Sequence, residues 1–533
     1  MSNALYYGDN LSVLRESIAT ESVDLIYLDP PFNSNANYNV LFKSPAGAGS
    51  QAQIEAFEDT WHWGHESEDA FDQVMRSGNT NAADMLRAVR TFLGDNDMMA
   101  YLAMMAVRLI ELHRVLKPKG SLYLHCDPTA SHYLKILMDA VFGAERFINE
   151  IVWKRYGAHN DIGQGSKHYG RVQDIILFYS KAKDRTWNQI YTPQTKEYIE
   201  ERFTYVDANG RRYTDTPLTG PGGPEKGNPV YDWNGHTRAW RVSKKTMQKM
   251  HDTNELHYTK TGYVRGKLYL DEAKGIPLQS LWTDIASLAG RMPERLNYPT
   301  QKPVSLLERI VTVSSNPGDV VLDPFCGCGT AIHAAQLLGR VWVGIDITHL
   351  AISLIERRLK DSFPGISFQV HGTPKDLEGA RDLALRDKYQ FQWWAISLVE
   401  AQPFAGKKKG ADGGIDGLIY FRSDAKTTER AVVSVKGGDN VGVPMIRDLK
   451  GVLDREKAPI GVFMTLASPT KPMIAEAASA GFYELGGRKY PRLQIITIED
   501  ALKGAKPAIP LIDTGAAFKR APQKNPEHPK LDL

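Results

Sequence analysis

Cysteine is scarce in this chain, which has three, Cys126, Cys326 and Cys328, in 533 residues. So small and odd a number excludes a disulfide-stapled secreted scaffold and favours a reducing compartment. Long apolar runs are missing too. The longest, residues 98–107, stops at Arg108 and is too short to span a bilayer. The first residues, MSNALYYGDN, lack the charged and apolar regions of a signal peptide. These absences predict a cytoplasmic protein without a membrane partner.

An excess of one charge sign is also absent. The chain carries 65 basic and 62 acidic residues, for a net charge of +3. A mild positive excess permits nucleic-acid binding without arguing for it, because the local arrangement of charge decides. The content of 42% hydrophobic and 24% charged residues is ordinary for a globular protein. The length predicts two or more domains.

Strand-like and helix-like segments alternate over residues 1–180. Apolar runs at 23–29 and 121–127 read as strands, whereas 98–116 and 133–143 have helical length and patterning. This alternation predicts an α/β fold with a parallel sheet covered by helices.

The remaining chain divides into four predicted segments. Residues 181–297 are polar and rich in Gly and Pro, which excludes long helices. The α/β rhythm resumes over 298–380, and a further α/β unit follows over 385–505. The Pro- and Lys-rich tail, 506–533, is predicted to be disordered.

A glycine-rich turn lies within VVLDPFCGCGTAIHAA, residues 320–335. Gly327 and Gly329 permit close backbone approach to a ligand and unusual dihedral angles. The helix N-terminus behind them attracts anionic groups. Asp346, at the end of the next strand, is placed to accept hydrogen bonds from ribose hydroxyls. Ile332 interrupts the G-x-G-x-x-G dinucleotide fingerprint, which disfavours NAD and FAD.

The turn also contains two thiols, Cys326 and Cys328, at a spacing seen in some metal sites. No second Cys pair or nearby His pair accompanies them, and a structural zinc site needs four ligands. We therefore predict no metal at this turn.

A second feature, LIYLDPPFNS over residues 25–34, ends an apolar strand in Asp29-Pro30-Pro31-Phe32. Asp29 is suited to accept a hydrogen bond from an exocyclic amine. Proline has no N–H, so the turn is rigid and the Pro30 carbonyl is free to accept the second amine hydrogen. Phe32 offers a flat face on which a flipped base can stack. Alone, the tetrapeptide is more often a simple strand-ending turn.

Together, DPPF at 29–32 and FCGCG at 325–329 resemble the paired motifs of the amino-methyltransferases of DNA. The order, with the catalytic motif first and a polar insert between, resembles the β-class. YPTQKP at 298–303 resembles the segment that opens the family's cofactor half, with Tyr298 in place of the usual histidine. GDN at 8–10 resembles the turn beside the cofactor adenine. HRVLKPKGSLYLHCD and NEIVWKR also resemble family segments.

The resemblance implies a Rossmann-like methyltransferase that uses S-adenosylmethionine, with residues 181–297 as an inserted target recognition domain. It implies catalytic roles for Asp29, Pro30, Pro31 and Phe32. It also implies these cofactor-binding residues: Asp9, Thr300, Gln301, Lys302, Asp323, Pro324, Phe325, Gly327, Gly329, Thr330 and Asp346.

The first residue of DPPF resembles adenine-N6 members, whereas cytosine-N4 members more often carry serine. Cytosine-C5 chemistry is disfavoured because it needs a cysteine nucleophile, and no Pro-Cys context exists. The leading interpretation is a site-specific adenine-N6 methyltransferase acting on double-stranded DNA. Alternatives are a cytosine-N4 enzyme, a restriction–modification fusion, and a methyltransferase of protein or RNA. The resemblance also suggests a bacterial or phage-encoded, nucleoid-associated protein and allows for a homodimer.

Residues 385–505 resemble the Mrr-like restriction endonuclease fold of the PD-(D/E)xK group. The matching positions are Glu400, on a helix predicted over 391–404, with Asp416, Ser434 and Lys436. Ser434 stands where the group has Glu, Asp or Gln, and a hydroxyl is a poorer Mg²⁺ ligand than a carboxylate. We therefore predict a vestigial nuclease site, with Mg²⁺ as a cofactor only if this domain cleaves DNA.

Overall fold

The computed structural model describes most of the chain, and the chain divides into two compact units. The smaller is formed by residues 189–279, and the larger by the described residues on either side. The described residues are 1–31, 37–43, 49–58, 62–157, 167, 169–220, 223–288, 292, 294–296, 298, 300–404, 414–423 and 427–510. Phe32 and most of the tail predicted to be disordered lie outside them.

The larger unit begins with seven strands and five helices. The strands are β1 Ala4–Tyr7, β2 Val23–Leu28, β3 Asn37–Lys43, β4 Gly49–Glu58, β5 Leu116–Cys126, β6 Phe147–Lys154 and β7 Gln173–Ser180. The helices are α1 Asn10–Ser17, α2 His65–Arg76, α3 Thr80–Leu93, α4 Asp97–Val115 and α5 Ser131–Phe142. Helix α4 is buried along most of its length in the main core. Its apolar residues therefore form part of the interior of the larger unit.

The smaller unit contains short strands and two short helices. These are β8 Tyr191–Thr192, α6 Lys196–Arg202, β9 Tyr205–Val206, β10 Arg212–Thr216, β11 Val230–Trp233, β12 His236–Ala239, α7 Lys244–Asp252, β13 Leu256–Tyr258, β14 Val264–Tyr269 and β15 Ile276–Pro277. Strands β13, β14, β10 and β9 form an antiparallel sheet. A small core around Trp240, Met247 and Val264 holds this unit together. The predicted insert, 181–297, contains it.

The larger unit resumes with β16 Leu281–Trp282, α8 Val304–Ser314, β17 Val320–Asp323, α9 Thr330–Leu337, β18 Val341–Asp346, α10 His349–Ser362 and β19 Gln369–His371. Nine strands form one sheet in the order β16-β6-β7-β5-β2-β17-β18-β1-β19. All neighbouring pairs are parallel except those of β7, which is antiparallel to β5 and β6. The carboxyl ends of β2 and β17 are adjacent, and ligands of open α/β sheets bind at such an edge.

The C-terminal part has its own five-stranded sheet, in the order β20-β21-β22-β23-β26. Its elements are α11 Leu377–Arg386, α12 Lys388–Leu398, β20 Gln402–Pro403, β21 Gly417–Arg422, β22 Thr428–Lys436, α13 Val443–Glu456, β23 Ile460–Thr465, α14 Lys471–Ala478, β24 Phe482–Leu485, β25 Arg488–Pro491, β26 Leu493–Thr497 and α15 Ile498–Leu502. Alternate residues of the central strands pack against helices on the two faces. The predicted α/β fold class is confirmed in both parts.

Helix α12 joins the C-terminal part to the main sheet. The Gln390 Oε1 atom accepts a 3.2 Å hydrogen bond from the His349 N–H, and the Tyr7 ring stacks on His349 with centroids 3.6 Å apart. Tyr7 also packs against the C-terminal core. Burial lowers the pKa of His349 to about 3, so this ring is neutral at physiological pH.

The helix predicted over 391–404 is too long at its C-terminal end. It stops at Leu398, and Glu400 has a left-handed φ of 59°. The Ala401 N–H then donates to the Ile396 carbonyl, which closes the helix, and Pro403 lies in a strand. Apolar residues continue past the true end, so periodicity did not reveal it. None of the helices in the described ranges is long and apolar enough to cross a membrane.

Candidate active site

The glycine-rich turn connects β17 to α9. Gly327 and Gly329 have φ values of 49° and 73°, as the sequence predicted for this turn. The Gly327 N–H donates to the Asp346 Oδ2 atom at 2.9 Å. A Cβ atom at Gly329 would lie 2.7 Å from the Ile355 side chain. Gly329 is therefore required by packing against α10, in addition to its backbone angle.

Asp346 ends β18 and holds this turn in place. Besides Gly327, it accepts hydrogen bonds from the Thr348 N–H at 2.9 Å and the Thr348 hydroxyl at 2.8 Å. Burial raises the pKa of Asp346 to about 6, although these donors favour the charged form. A carboxylate has about four acceptor positions, so three internal donors leave one for a ligand.

Asp9 lies across the turn and is held by a buried arginine. Its side chain caps α1 by accepting from the Ser12 N–H, and it pairs with Arg108 Nη2 at 2.8 Å. Arg108 also donates to Asn10 Oδ1 at 2.6 Å, and Asn10 donates to the Pro324 carbonyl at 2.9 Å. Burial lowers the pKa of Arg108, whereas the Asp9 charge raises it. Asn10 and Arg108 were not predicted. A charged residue inside a buried helix was the available signal.

Asp29 directly follows β2, beside the end of β17. Its Oδ2 atom accepts a hydrogen bond from Lys302 Nζ, which connects the DPPF motif to the YPTQKP segment. Its Oδ1 atom is buried and has no hydrogen-bond donor among the described residues. An unsatisfied buried acceptor costs free energy that an incoming donor group can recover. Pro30 is buried, and Phe32 lies outside the described residues.

The segment before α8 closes the other side. Tyr298, where the family has histidine, is 6% exposed, and a Cβ atom at Gly327 would lie 3.3 Å from its ring. Gln301 braces the segment by accepting from the Leu296 N–H at 2.7 Å and donating to the Glu294 carbonyl at 2.8 Å.

These elements line a cavity that opens to solvent. Most predicted site residues line it: Asp9, Asp29, Pro31, Thr300, Lys302, Asp323, Pro324, Phe325, Gly327, Thr330 and Asp346. Pro30, Gln301 and Gly329 are not lining residues. Tyr27, Asn10, Arg108, Tyr298 and Thr348 also line it and were not predicted.

Asp323 is the most buried acid of this cavity, at 3% exposure. Burial raises its pKa well above the ordinary value. The Phe325 N–H opposes this by donating at 3.1 Å, and the charges of Asp29 and Asp346 add to it. The cavity thus brings four aspartates together, and two of them, Asp9 and Asp29, are paired with the lining cations Arg108 and Lys302.

The predicted nuclease positions do not assemble into a metal site. Asp416 Oδ2 accepts from the Val435 N–H at 2.7 Å and lies 3.4 Å from the Ser434 hydroxyl. Glu400 is exposed beyond the helix and pairs with Lys506 at 3.0 Å. Its predicted helical position is therefore wrong, because α12 ends first. Within the described ranges, no group of three His, Cys, Asp or Glu side chains is placed to hold a metal ion. These residues do not fit Mg²⁺.

Comparison with known proteins shows the family of this chain. Residues 23–357 match a family model described as DNA methylase. The chain belongs to the DNA methylase family. In this methylase, residues 385–486 match a second model, described as restriction endonuclease, which confirms the predicted resemblance of the C-terminal part.

Curated relatives extend the match. The chain is 28% identical to the type II methyltransferase M.EcaI of Enterobacter cloacae over 67% of its own length and 69% of the relative's. It is 27% identical to the DNA adenine methyltransferase YhdJ of Escherichia coli, covering 67% and 83%. It is 28% identical to the StyLTI Mod subunit of a type III restriction-modification enzyme from Salmonella typhimurium, over 63% of this chain and half of the subunit.

Among solved structures, a DNA modification methylase from Thermus thermophilus, complexed with S-adenosyl-L-methionine, aligns with 70% of this chain and 99% of its own. The identity is 18% and the TM-score 0.34, which is too low to support a statement about this chain.

Proposed function

We propose that this DNA methylase transfers a methyl group from S-adenosylmethionine to the N6 amine of adenine at specific sites in double-stranded DNA. The observation that carries the proposal is Asp29 in the wall of the glycine-turn cavity, with its Oδ1 atom buried and without a donor among the described residues. The amine acceptor and the cofactor turn thus share one cavity, as transfer between two bound molecules requires.

S-adenosylmethionine supplies a methyl group on a positively charged sulphur. Asp346 is proposed to accept from a ribose hydroxyl with its remaining acceptor position, and Asp9 to contact the adenine ring. Arg108 fixes Asp9, and Gly327 leaves room for the ligand beside Tyr298.

At the other end, Asp29 and the Pro30 carbonyl are proposed to accept the two hydrogens of the target amine. Two acceptors direct the nitrogen lone pair toward the methyl group, and catalysis then comes from positioning and electrostatics. Lys302 holds Asp29 by Oδ2, which commits the other oxygen to the substrate.

Adenine is favoured over cytosine by the aspartate of DPPF and by the relative YhdJ, whose name specifies adenine. The test is incubation with labelled methyl donor and unmethylated plasmid, followed by digestion and separation of nucleosides. Label in N6-methyl-2′-deoxyadenosine supports the proposal. Label in N4-methyl-2′-deoxycytidine favours the alternative base, and label in added RNA or protein overturns it.

The smaller unit is proposed to read the DNA sequence. The exposed basic residues of this unit that have no ion pair among the described residues include Arg238, Arg241, Lys244, Lys245 and Lys249. Such groups contact phosphates and base edges. By contrast, Arg211 is paired with Asp271 and Glu272, so its charge is already neutralised within the unit. The Trp240 ring lies in the small core and is not exposed for contact with DNA.

Cofactor affinity is expected to fall in acid because the pKa of Asp346 is raised to about 6. If the charged form binds ribose, the binding-competent fraction decreases about tenfold between pH 7.5 and pH 5. Calorimetric titration with S-adenosylmethionine across this range measures the change. Asp346→Asn should bind more weakly and lose this pH dependence. An equally steep decrease in the variant would assign the titration to another group.

The C-terminal part is expected to bind DNA without cleaving it efficiently. Asp416 is occupied by Val435, Ser434 supplies no carboxylate, and Glu400 is turned to Lys506, whereas Lys436 keeps a charge for phosphate. Methylated and unmethylated plasmids are incubated with the full chain in Mg²⁺ or Mn²⁺. Cleavage that disappears in both Asp416→Ala and Lys436→Ala would instead support a restriction–modification fusion.

A further inference from the structure

Behind the cavity wall, three buried polar side chains form a hydrogen-bonded chain. The Tyr27 hydroxyl lies 2.9 Å from His125 Nδ1, and His125 Nε2 lies 2.9 Å from Asp174 Oδ2. Tyr27 is 2% exposed, and the other two are fully buried. Tyr27 lines the cavity, whereas neither His125 nor Asp174 does. None of the roles proposed above uses these groups.

The sheet topology brings them together. Strands β2, β5 and β7 are adjacent, with Tyr27 opposite Tyr123 and His125 opposite Ile176. Because side chains alternate along a strand, Tyr27, His125 and Asp174 project from one face. Asp29 follows Tyr27 by two residues, so the chain ends beside the proposed amine acceptor.

The direction of the hydrogen bonds follows from the charge of Asp174. Burial raises the pKa of this carboxyl, but the hydrogen bond from His125 and the charges of His125, Lys302 and Arg155 lower it more, so it is held below its ordinary value. An ionised carboxylate only accepts, so His125 donates from Nε2, and in the neutral imidazole Nδ1 is then the acceptor. Tyr27 donates to that neutral His125, which leaves the lone pairs of its own oxygen to act as acceptors.

We propose that Tyr27, backed by His125 and Asp174, accepts the proton that the target amine releases on methylation. This inference rests on the proposed function. The nitrogen lone pair forms the bond to the methyl carbon as the carbon–sulphur bond breaks, and that electron pair stays on sulphur. The nitrogen then loses a proton to the Tyr27 oxygen, while Tyr27 passes its own hydrogen to His125 Nδ1. The imidazolium is stabilised by Asp174, as in serine–histidine–aspartate triads.

The Lys302 ion pair favours this acceptor over Asp29. Asp29 is bound to Lys302, so a proton placed on it would weaken that ion pair. A free phenolate at Tyr27 is disfavoured, because burial and the charges of Asp29 and Asp323 raise the pKa of Tyr27 well above its usual value. Tyr27 must therefore give its own proton to His125 at the same time as it accepts the proton of the amine, and the hydrogen bond to His125 allows this. The proton returns to solvent by the same route after the product leaves.

The test compares Tyr27→Phe with Tyr123→Phe in single-turnover methylation of DNA, in H₂O and D₂O. Tyr123 is the matched control, because it is equally buried on the neighbouring strand and bonds to Ser314 at 2.7 Å, but does not line the cavity. We expect Tyr27→Phe to lower the rate by roughly a hundredfold, the usual scale for loss of a general base. We also expect it to lose the solvent isotope effect, whereas Tyr123→Phe keeps both. Asp174→Asn should act like Tyr27→Phe, because the amide reverses the imidazole tautomer.

The affinity of each variant for S-adenosylmethionine, measured by calorimetry, shows whether the variant keeps the fold. If Tyr27→Phe loses this affinity, the rate and isotope effect of Asp174→Asn test the relay instead. A Tyr27→Phe rate within twofold of the Tyr123→Phe rate, or an unchanged isotope effect, overturns the relay. If the wild-type protein methylates no adenine, the proposed function itself is wrong. Failure of the relay and failure of the proposed function are therefore distinguishable.

Discussion

Replacement of Asp29 by alanine is expected to abolish methyl transfer while cofactor affinity stays within about twofold of the wild-type value. The carboxylate is the proposed acceptor for the target amine, and loss of one preorganised electrostatic contact lowers catalysis by roughly 10²–10³-fold. Loss of the Lys302 contact adds to this, because that ion pair positions the segment before α8. Single-turnover methylation and calorimetric binding of S-adenosylmethionine give the two values.

Asp29→Asn is the control for shape. The amide keeps one oxygen acceptor at nearly the same place, so we expect it to retain more activity than the alanine variant. A thermal melt of both variants shows whether loss of the ion pair destabilises the protein. Near-normal turnover of folded Asp29→Ala would show that the amine is held elsewhere, and the catalytic assignment of DPPF would be wrong.

Gly329→Ala is expected to destabilise the protein at the cofactor turn more than Gly339→Ala does at its own turn. The left-handed φ of 73° costs a non-glycine residue about 1–2 kcal/mol. The added carbon would lie 2.7 Å from the buried Ile355, and overpacking costs roughly 1–3 kcal/mol. The sum, roughly 2–5 kcal/mol, should lower the melting temperature and weaken cofactor binding.

Gly339→Ala provides the matched comparison. Its φ is 72°, but nothing lies within 4 Å of the added carbon. The difference between the two variants therefore isolates the contact with Ile355. Equal melting temperatures would show that α10 shifts to accommodate the added methyl group. Gly329 would then be required only for its left-handed backbone angle.

The sequence contained enough to predict which strand ends carry chemistry. Asp29, Asp323 and Asp346 each end an apolar run, and parallel strands bring such ends to one edge of a sheet. The family resemblance then predicted their roles, which remain proposals, whereas the family itself is confirmed.

Other parts of the site depend on contacts between distant residues, which a local pattern does not reveal. Arg108 reaches Asp9 from α4, and His125 reaches Tyr27 from the neighbouring strand. Both residues lie in segments that read as simple buried elements. The antiparallel β7 was likewise not predicted, because direction within a sheet leaves little trace in hydrophobic periodicity.

The junction of Tyr7, His349 and Gln390 has a genetic consequence. His349 directly follows cavity-lining Thr348, so the C-terminal part rests on the element that shapes the cofactor turn. A premature stop codon near position 380 would uncover the paired rings and remove the support of α12. Such an allele would impair methylation as well as remove the C-terminal part, so selection on one half also acts on the other.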